Sequence, residues 1–486
     1  MTAHDLIIRN GTLIDGSGEP RRAADVAIKG DRIVAIGDPG TLRGGNEIDV
    51  AGKVVAPGFI DVHTHDDTAL IENPDMAMKA SQGVTTVVCG NCGFSAAPYA
   101  GPRPVPHNLS LIVKQERFLT QSFAAFAELV ESARPAINGA FLIGHATLRY
   151  SVLGMDLQRP ASATETARMR DMLDNALGDG AIGMSSGLFY PPAAHATTDE
   201  VAEIATPLGL HGGVYTAHMR NEDDNILAAM DETFEIGRRA NAPVVVSHHK
   251  CSSRKNFGRM RETLPKFDQA MKDWPISFDV YPYVAGSTIL RKEMIDRADK
   301  VMVTWSEAMP SAGGRDLKDV AAELGCSVYD AADRLQPAGA IYWMMSEDDV
   351  QKALSHPQAM IGSDGLPLDQ HPHPRLWGTF PRVLGHYSRD LGLFPLEDAV
   401  RRMTSLSARN FGLAGRGLLR EGYYADICVF DPATVIDTAT FEEPIKPAQG
   451  IVLTLCNGVV AWQGGHPALG GGGRVLRLQE LKREAS

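Results

Sequence analysis

Hydrophobic and polar positions follow two different rhythms along this chain. In the middle, short apolar runs recur, and each is followed by a stretch in which apolar residues have helical spacing. Eight of these runs have the length and composition of buried strands: FIDVH (59–63), TTVVC (85–89), GAFLIGH (139–145), AIGMS (181–185), GVYTAH (213–218), PVVVSHH (243–249), ISFDVY (276–281) and AMIGSD (359–364). Strand–helix alternation repeated eight times predicts an α/β fold, a parallel TIM-like (β/α)8 barrel.

Two stretches between these runs show the helical pattern well. ATETARMRDMLDNALGDG, residues 163–180, places its apolar side chains on one face and ends at a glycine. The residues of that face are Met169, Met172, Leu173 and Leu177. ILAAMDETFEIGRRAN, residues 226–241, repeats the pattern, so both are predicted to be helices that cover the barrel.

The two ends of the chain alternate apolar and polar residues between glycine-containing turns, which predicts half-buried antiparallel strands. Neither end is long enough to form an independent sheet. We therefore predict that residues 1–58 and 415–486 combine into one small β-sandwich, and that residues 59–414 form the barrel. The gap between the seventh and eighth strands is too long for one crossover, and it contains DLKDVAAELG and SVYDAADRLQP. Residues 289–348 are predicted to be a helical, lid-like insertion.

Composition narrows the classes of function. The 486 residues carry a net charge of −12, and no run of Lys or Arg interrupts this balance, which argues against nucleic-acid binding. No stretch resembles a signal peptide or a membrane-spanning helix, so we expect no membrane association and a cytoplasmic location. Six cysteines in so long a chain do not suggest a disulfide framework. We expect a small-molecule substrate and a monomer or small homo-oligomer.

Candidate metal ligands stand at the ends of the predicted strands. His63 and His65 follow the first strand with one residue between them, so both imidazoles project to the same side. His218 ends the fifth strand and Asp364 the eighth, and the carboxyl ends of barrel strands surround one mouth. A single histidine is more often structural, and a single strand-end aspartate is often a helix cap. Their convergence at one barrel face predicts a site for zinc or a neighbouring metal.

The sixth strand ends in two histidines, His248 and His249. Neighbouring side chains on a strand point in opposite directions, so only one of them faces the site, and register alone does not decide which. Cys89 and Cys92 form a C-x-x-C pattern whose glycine-containing surroundings predict a tight loop instead of a redox-active helix start. Cys89 reads as a buried strand residue.

Several long strings resemble the N-acyl-D-amino-acid deacylases (D-aminoacylases) of the amidohydrolase superfamily, over essentially the whole chain. They are VVAPGFIDVHTHDD (54–67), GVTTVVCGNCGFSAAP (83–98), YTAHMRNE (215–222), VVVSHHKC (244–251), DVYPYVAGST (279–288), IGSDGLP (361–367) and HPRLWGTFPRVLGHYSRD (373–390). The resemblance implies a TIM-like barrel flanked by a β-sandwich from both termini. It also implies hydrolysis of an N-acyl-D-amino acid to a carboxylate and a free D-amino acid.

The resemblance assigns the ligands. Many amidohydrolases bridge two metals with a carboxylated lysine on the fourth strand, where AIGMSSGLFY has no lysine. This branch uses a cysteine from the second strand, which corresponds to Cys92, and the spacing of the strings selects His248 over His249. Cys92, His218 and His248 are implied to hold the tight zinc. The implied weaker second site shares Cys92 and adds His63, His65 and Asp364.

The remaining site residues are also carried over from the resemblance. Asp364 is predicted to be the catalytic acid–base group as well as a ligand. Five residues fall in strings that resemble the substrate-binding segments: Lys250, Tyr281, Tyr283, Ser287 and Arg375. Members selective for acidic D-residues place an arginine where this chain has Met294, which favours apolar D-side chains, although Arg291 leaves an acidic substrate open.

Two other functions fit parts of the pattern. One is a cyclic-amide hydrolase of the hydantoinase or dihydroorotase kind, which usually relies on the missing lysine. The other is a non-catalytic assembly protein with an amidohydrolase fold, which typically lacks several ligands, whereas all are present here.

Overall fold

The computed structural model describes residues 4–468 and 471–485. The strands are β1 (Leu6–Leu13), β2 (Arg22–Lys29), β3 (Arg32–Gly37), β4 (Asn46–Asp49), β5 (Val54–Pro57), β6 (Phe59–Asp61), β7 (Val84–Cys89), β8 (Asn138–Gly144), β9 (Gly183–Gly187), β10 (Val214–His218), β11 (Val244–Val246), β12 (Ile276–Val280), β13 (Ala285–Ile289), β14 (Lys300–Ser306), β15 (Ala338–Trp343), β16 (Ala359–Ile361), β17 (Ile427–Phe430), β18 (Ile451–Cys456), β19 (Val459–Gln463) and β20 (His466–Pro467).

The α-helices are α1 (Ala69–Glu72), α2 (Ala77–Ala80), α3 (Phe123–Ala133), α4 (His145–Leu153), α5 (Ala163–Gly178), α6 (Thr198–Ile204), α7 (Pro207–His211), α8 (Ile226–Arg239), α9 (Met260–Ala270), α10 (Lys292–Ile295), α11 (Leu317–Glu323), α12 (Val328–Arg334), α13 (Glu347–Ser355), α14 (Arg375–Arg382), α15 (Leu396–Met403), α16 (Ser405–Asn410) and α17 (Leu478–Ala485). Short 3₁₀ turns span His107–Leu111, Glu116–Phe118, Arg254–Asn256 and Pro310–Ala312. A π-helical segment, Val383–Asp390, continues α14.

The eight predicted central strands form one parallel sheet in the order β6, β7, β8, β9, β10, β11, β12 and β16. Register pairs run from one neighbour to the next, for example Val214 with Gly183 and Val244 with Ile276. A parallel bridge between Thr64 and Gly365 joins the first strand end to the last. The sheet therefore closes, and the predicted barrel is confirmed.

The predicted helices cover the barrel. α5 begins with a capping box, in which the side chains of Ser162 and Glu165 satisfy each other's backbone N–H groups. Its buried face includes Met169 and Leu173, which join the barrel's hydrophobic core. α8 buries its apolar stripe in the same core, so the 3.6-residue period marked both helices correctly.

The terminal segments meet in one sheet of nine strands, in which β5 from the N-terminal part pairs with β17 from the C-terminal part. Side chains of both parts, such as Val26 and Val429, share a hydrophobic cluster separate from the barrel core. This confirms the predicted union of the two ends. The last helix, α17, contributes Leu478 and Leu481 to the barrel core, while its Glu484 binds Arg32 of the terminal sheet, so it bridges the two parts.

The insertion after the seventh barrel strand contains both predicted helices, as α11 and α12. It also contains a three-stranded antiparallel sheet in the order β13, β15, β14, which the prediction of a purely helical insertion omitted. The strands β14 and β15 and the helices α10, α11 and α12 share a separate hydrophobic cluster, which includes Val303 and Tyr342. The sheet was missed because β13 and β15 pair across some fifty intervening residues, and a local pattern does not reveal such partners.

Two further observations bear on the composition argument. All six cysteines are free thiols. Among the residues that the model describes, no helix combines the length and the apolar character needed to span a membrane.

Candidate metal centre

Six side chains from the carboxyl ends of barrel strands converge at the barrel mouth. They form two groups whose potential ligand atoms all lie within 4.8 Å of one another in each group. The first group contains Cys92, His218 and His248, and the second contains His63, His65, Cys92 and Asp364. Cys92 belongs to both groups, so one sulfur atom joins two possible metal positions.

The distances show how tightly the cluster is packed. Cys92 Sγ lies 3.3 Å from His63 Nε2 and 3.3 Å from His248 Nε2. Asp364 Oδ1 lies 3.2 Å from His65 Nε2 and 3.5 Å from His63 Nε2. All of these side chains are buried, so the donors face one another instead of water.

The loop that carries Cys92 is fitted to the ends of the next two strands. A Cβ atom added to Gly187 would lie 2.1 Å from the carbonyl oxygen of Cys92, and one added to Gly144 would lie 2.4 Å from that of Gly93. Only glycine admits so close an approach of two backbones. The glycines at the ends of β8 and β9 therefore leave room for the cysteine loop.

Three of the proposed ligands have left-handed backbone conformations. The φ angles are 55° at Cys92, 36° at His248 and 50° at Asp364. Each such non-glycine residue costs of order 1–3 kcal/mol and persists where the surrounding structure requires it. Their coincidence with the cluster indicates that the backbone is bent to aim these side chains.

His248 and His249 point in opposite directions. The ring of His249 lies between the strands and α9, where Nε2 is 2.9 Å from Thr263 Oγ1 and the ring contacts Phe267. Burial lowers the pKa of His249 to about 3. His249 is thus a neutral packing residue, and the cluster contains His248, as the resemblance implied.

Electrostatics favour the ionised forms of the two acidic ligands. Burial alone would raise the pKa of the Cys92 thiol, but His63 and His248 lower it well below its usual range. Burial would also raise the pKa of Asp364, yet Arg375 and His248 hold it well below its usual range. Because metal binding requires a thiolate and a carboxylate, both groups are prepared for it.

The donor set fits a metal. Within residues 4–468 and 471–485, neither ring nitrogen of His218 has a hydrogen-bond partner, although both are buried. A buried polar atom without a partner is unfavourable and calls for an explanation, which a bound ion would provide. Thiolate sulfur and imidazole nitrogen together favour zinc.

Two carboxylates that the sequence reasoning did not single out support the ligands from behind. Asp279, just at the end of β12, lies 3.3 Å from His63 Nδ1 through Oδ2 and accepts the backbone N–H of His248 at 2.9 Å through Oδ1. Glu222 Oε1 lies 3.1 Å from His248 Nδ1, and its Oε2 lies 3.6 Å from His218 Nε2. Such partners fix the orientation and tautomer of ligating histidines. The signal for Asp279 was available, because it also stands at a strand end.

A cavity opens over the cluster. Three of the five predicted substrate-binding residues line it, together with the metal-ligand candidates. The predicted residues in the wall are Lys250, Tyr281 and Ser287, and the ligand candidates are His218, His248 and Asp364.

Arg375 and Tyr283 occupy other positions. Arg375 lies immediately behind the cavity wall, with Nη1 2.8 Å from Asp364 Oδ2 and Nη2 donating to the carbonyl of Ser287 at 3.1 Å. Tyr283 does not line the cavity, and its ring packs against His373 and Arg382. The reason is a tight turn, in which the N–H of Tyr283 bonds the carbonyl of Tyr281 at 3.0 Å, so the two rings diverge.

Comparison with known proteins assigns the chain to a family. The model of the amidohydrolase family matches residues 46–282 and 290–461. A D-aminoacylase of Alcaligenes xylosoxydans xylosoxydans is 55% identical over 459 residues, which are 94% of each chain. The chain belongs to the amidohydrolase family. At this similarity, it is a hydrolase of linear amide C–N bonds in the D-aminoacylase branch.

Two solved structures resemble this amidohydrolase closely. One, from work on one-metal activation and second-metal attenuation in the binuclear centre of D-aminoacylase, has a TM-score of 0.95 and 53% identity, and the match covers 98% of this chain and all of that one. The other is an N-acyl-D-glutamate deacylase from Bordetella bronchiseptica with zinc and a phosphonate mimic of the tetrahedral intermediate. It has a TM-score of 0.94 and 46% identity, with coverage of 98% of this chain and all of that one.

Proposed function

We propose that this amidohydrolase hydrolyses N-acyl-D-amino acids to a carboxylate and the free D-amino acid, with zinc held by Cys92, His218 and His248. The observation that supports the proposal most directly is that Cys92 Sγ belongs to both groups of potential ligands. The strand β9 contains no lysine that could take the same bridging role. Identity of 55% to a D-aminoacylase supports the same reaction. The missing lysine also argues against the cyclic-amide hydrolases, which usually depend on it.

The second position, formed by His63, His65, Asp364 and the shared Cys92, is proposed to bind a further metal more weakly. When bound, zinc supplies Lewis acidity to the acyl carbonyl and to the attacking water. The six free thiols are compatible with a reducing compartment, so we place the reaction in the cytoplasm.

Asp364 is proposed to move the proton. It is ionised and is held between His65 at 3.2 Å and Arg375 at 2.8 Å, which orients its carboxylate at the cavity wall. As water attacks the acyl carbon, Asp364 accepts one of its protons. It then donates this proton to the amide nitrogen as the C–N bond breaks, which releases a neutral amine.

The α-carboxylate of the substrate is proposed to lie near Lys250, Tyr281 and Ser287, which share one part of the cavity wall. The ammonium group of Lys250 donates to Glu222 Oε1 at 2.8 Å, and the guanidinium group of Arg375 stacks 4.7 Å from the Tyr281 ring centre. A cation in the wall and a second one directly behind it attract a carboxylate. Tyr283 is left out of this proposal because it lies outside the cavity.

The remaining wall favours apolar D-side chains. Phe189, Met294 and Met344 line the cavity and offer apolar surface. Arg291, the residue that left an acidic substrate open, does not line the cavity. Its guanidinium group lies 4.9 Å from the centre of the Phe189 ring. We therefore propose leucine-like, methionine-like or phenylalanine-like D-residues as preferred substrates.

The proposal is tested by metal analysis together with a hydrolysis screen. We expect zinc to copurify with the enzyme, and N-acetyl-D-methionine to be hydrolysed while N-acetyl-L-methionine is not. A hydantoin with the same side chain serves as the comparison for a cyclic-amide hydrolase. Absence of hydrolysis across the D-series by zinc-loaded protein would contradict the proposal.

A further inference from the structure

An ion pair connects the insertion to the barrel at the cavity wall. Arg297 Nη1 lies 2.8 Å from Asp223 Oδ2, and both residues line the cavity that contains the metal-ligand candidates. Asp223 follows β10 in the loop that also provides Glu222, whereas Arg297 follows α10 in the insertion. The Asp223 side chain is 10% exposed and that of Arg297 is 37% exposed, so the pair is partly accessible from the cavity mouth.

Arg297 belongs to the part of the wall assigned above to the substrate side chain. Its N–H donates to the carbonyl of Met294 at 3.1 Å, which places the two residues on one continuous turn. The insertion thus has a cation one turn beyond Met294, but that cation already has a carboxylate partner.

Charges in the cavity wall are matched in pairs. Lys250 pairs with Glu222 at 2.8 Å, and Asp364 pairs with Arg375 just behind the wall at 2.8 Å. Arg297 is the remaining cation of the wall, and Asp223 neutralises it. An acidic substrate side chain would have to compete with Asp223 for Arg297, whereas an apolar side chain needs no ionic partner and can pack on Met294 beside the pair.

We propose that the Asp223–Arg297 pair determines side-chain selectivity by excluding charged D-side chains of either sign. Asp223 repels an acidic side chain and occupies its only cationic partner in that part of the wall, while Arg297 repels a basic side chain. Discrimination through such a repulsive element is a general route to specificity. The inference rests on the proposed function and adds the residues that select among its substrates.

Two variants, each of which removes one charge, separate the roles of the pair. Asp223 Oδ1 accepts a hydrogen bond from the backbone N–H of Asp224 at 2.7 Å, and the amide oxygen of Asp223→Asn can still accept it. Arg297, however, loses its anionic partner in this variant. We expect kcat/KM for N-acetyl-D-glutamate relative to N-acetyl-D-methionine to rise by about fivefold or more, in keeping with a partly exposed charge pair. Arg297→Gln should instead raise the ratio for N-acetyl-D-lysine by about the same factor.

A second ion pair between the barrel and the insertion provides a matched control. Arg254 and Asp299 also join the barrel side to the insertion, with Arg254 Nη2 2.8 Å from Asp299 Oδ1, but they are exposed and do not line the cavity. Arg254→Gln should leave both substrate ratios unchanged. A similar shift in this variant would attribute the effect to insertion docking and overturn the proposal.

A binding measurement keeps this test separate from the reaction. Calorimetric titration of the three N-acetyl-D-amino acids in the Asp364→Asn background reports their Kd ratios without turnover. If the unmodified enzyme hydrolyses no N-acetyl-D-amino acid, the proposed function fails, and the Kd ratios still decide the role of the pair. Ratios that change by less than about twofold in both folded, zinc-containing variants would refute it.

Discussion

The two halves of the metal centre differ in what their ligands already bind. In the half formed by His63, His65 and Asp364, the Nε2 atom of each histidine faces the Asp364 carboxylate, and Arg375 holds that carboxylate from the other side. In the other half, the buried ring nitrogens of His218 have no hydrogen-bond partner among the described residues. The first half thus contains a carboxylate that the protein already pairs with a cation, whereas the second contains a buried histidine without a hydrogen-bond partner.

This difference has an energetic consequence. Burying a polar atom without a partner destabilises the protein by about 1–3 kcal/mol. A metal that binds His218 removes this penalty, which favours binding in that half. In the Asp364 half, Arg375 binds Oδ2 and leaves Oδ1 facing the two histidines, so its positive charge weakens the attraction of this carboxylate for a metal cation. The contacts therefore support the division into a tight and a weaker position independently of the resemblance.

The largest effect is expected from Cys92→Ala, because this sulfur is the one donor common to both halves. Zinc should be lost from the purified protein, and kcat should fall by about 10³-fold or more, equal to about 4 kcal/mol. Metal analysis and steady-state kinetics measure both. Cys89→Ala is the matched control, since Cys89 is a buried residue of β7 outside both groups. Full zinc content in Cys92→Ala would contradict the shared-donor model.

Asp364→Asn should separate the halves most clearly. The Cys92–His218–His248 group does not contain this residue, so tight zinc should remain. Loss of the proton acceptor should reduce kcat by about 10³-fold. The two measurements are zinc stoichiometry after dialysis and kcat on N-acetyl-D-methionine. Unchanged turnover would show that Asp364 is not the proton carrier. Loss of the tight zinc would show that the two halves do not bind metal independently.

Glu222→Gln should weaken metal binding in the tight half and not in the Asp364 half. Its carboxylate lies 3.1 Å from His248 Nδ1 and faces His218, so the amide would orient these rings less firmly. We expect the Kd for the tight zinc to rise about 10- to 100-fold, the usual effect of removing such a partner. Competition with a chelator measures this Kd. Glu232→Gln, in a carboxylate paired with Arg220 away from the site, should leave the Kd unchanged.

Much of the metal centre could be predicted because the carboxyl ends of all barrel strands lie at the same end of the barrel. His63, His65 and His218 follow their strands directly, so their convergence follows from the fold. Register could not choose between His248 and His249, since the choice depends on how the strand end turns. Cys92 lies in a loop whose path depends on glycines in two other strands, and only the family resemblance identified it.

The missed residues share a different property. Asp279 contacts His63 and Glu222 contacts His248, and neither contact follows from local spacing. Only the strand-end position of Asp279 and the four-residue step from His218 to Glu222 are visible in the sequence. Tyr283 was assigned to the site from its string, but a turn at Pro282 directs its ring elsewhere. Local patterns thus predicted which elements surround the site, and tertiary contacts decided which side chains enter it.

Arg375→Ala should have a smaller effect on catalysis, but it should reduce the difference in metal affinity between the two halves. KM should rise by about tenfold, since a buried cation behind the carboxylate receptor is lost. At the same time, Asp364 loses the cation that lies 2.8 Å from Oδ2 and partly neutralises the carboxylate, so the second metal should bind more tightly. Titration with zinc after tight-site loading measures this change. Arg375→Lys restores a charge without the planar fork and should recover KM only in part. An unchanged KM together with an unchanged second-metal affinity would make Arg375 a purely structural residue and leave the weakness of that half without its proposed cause.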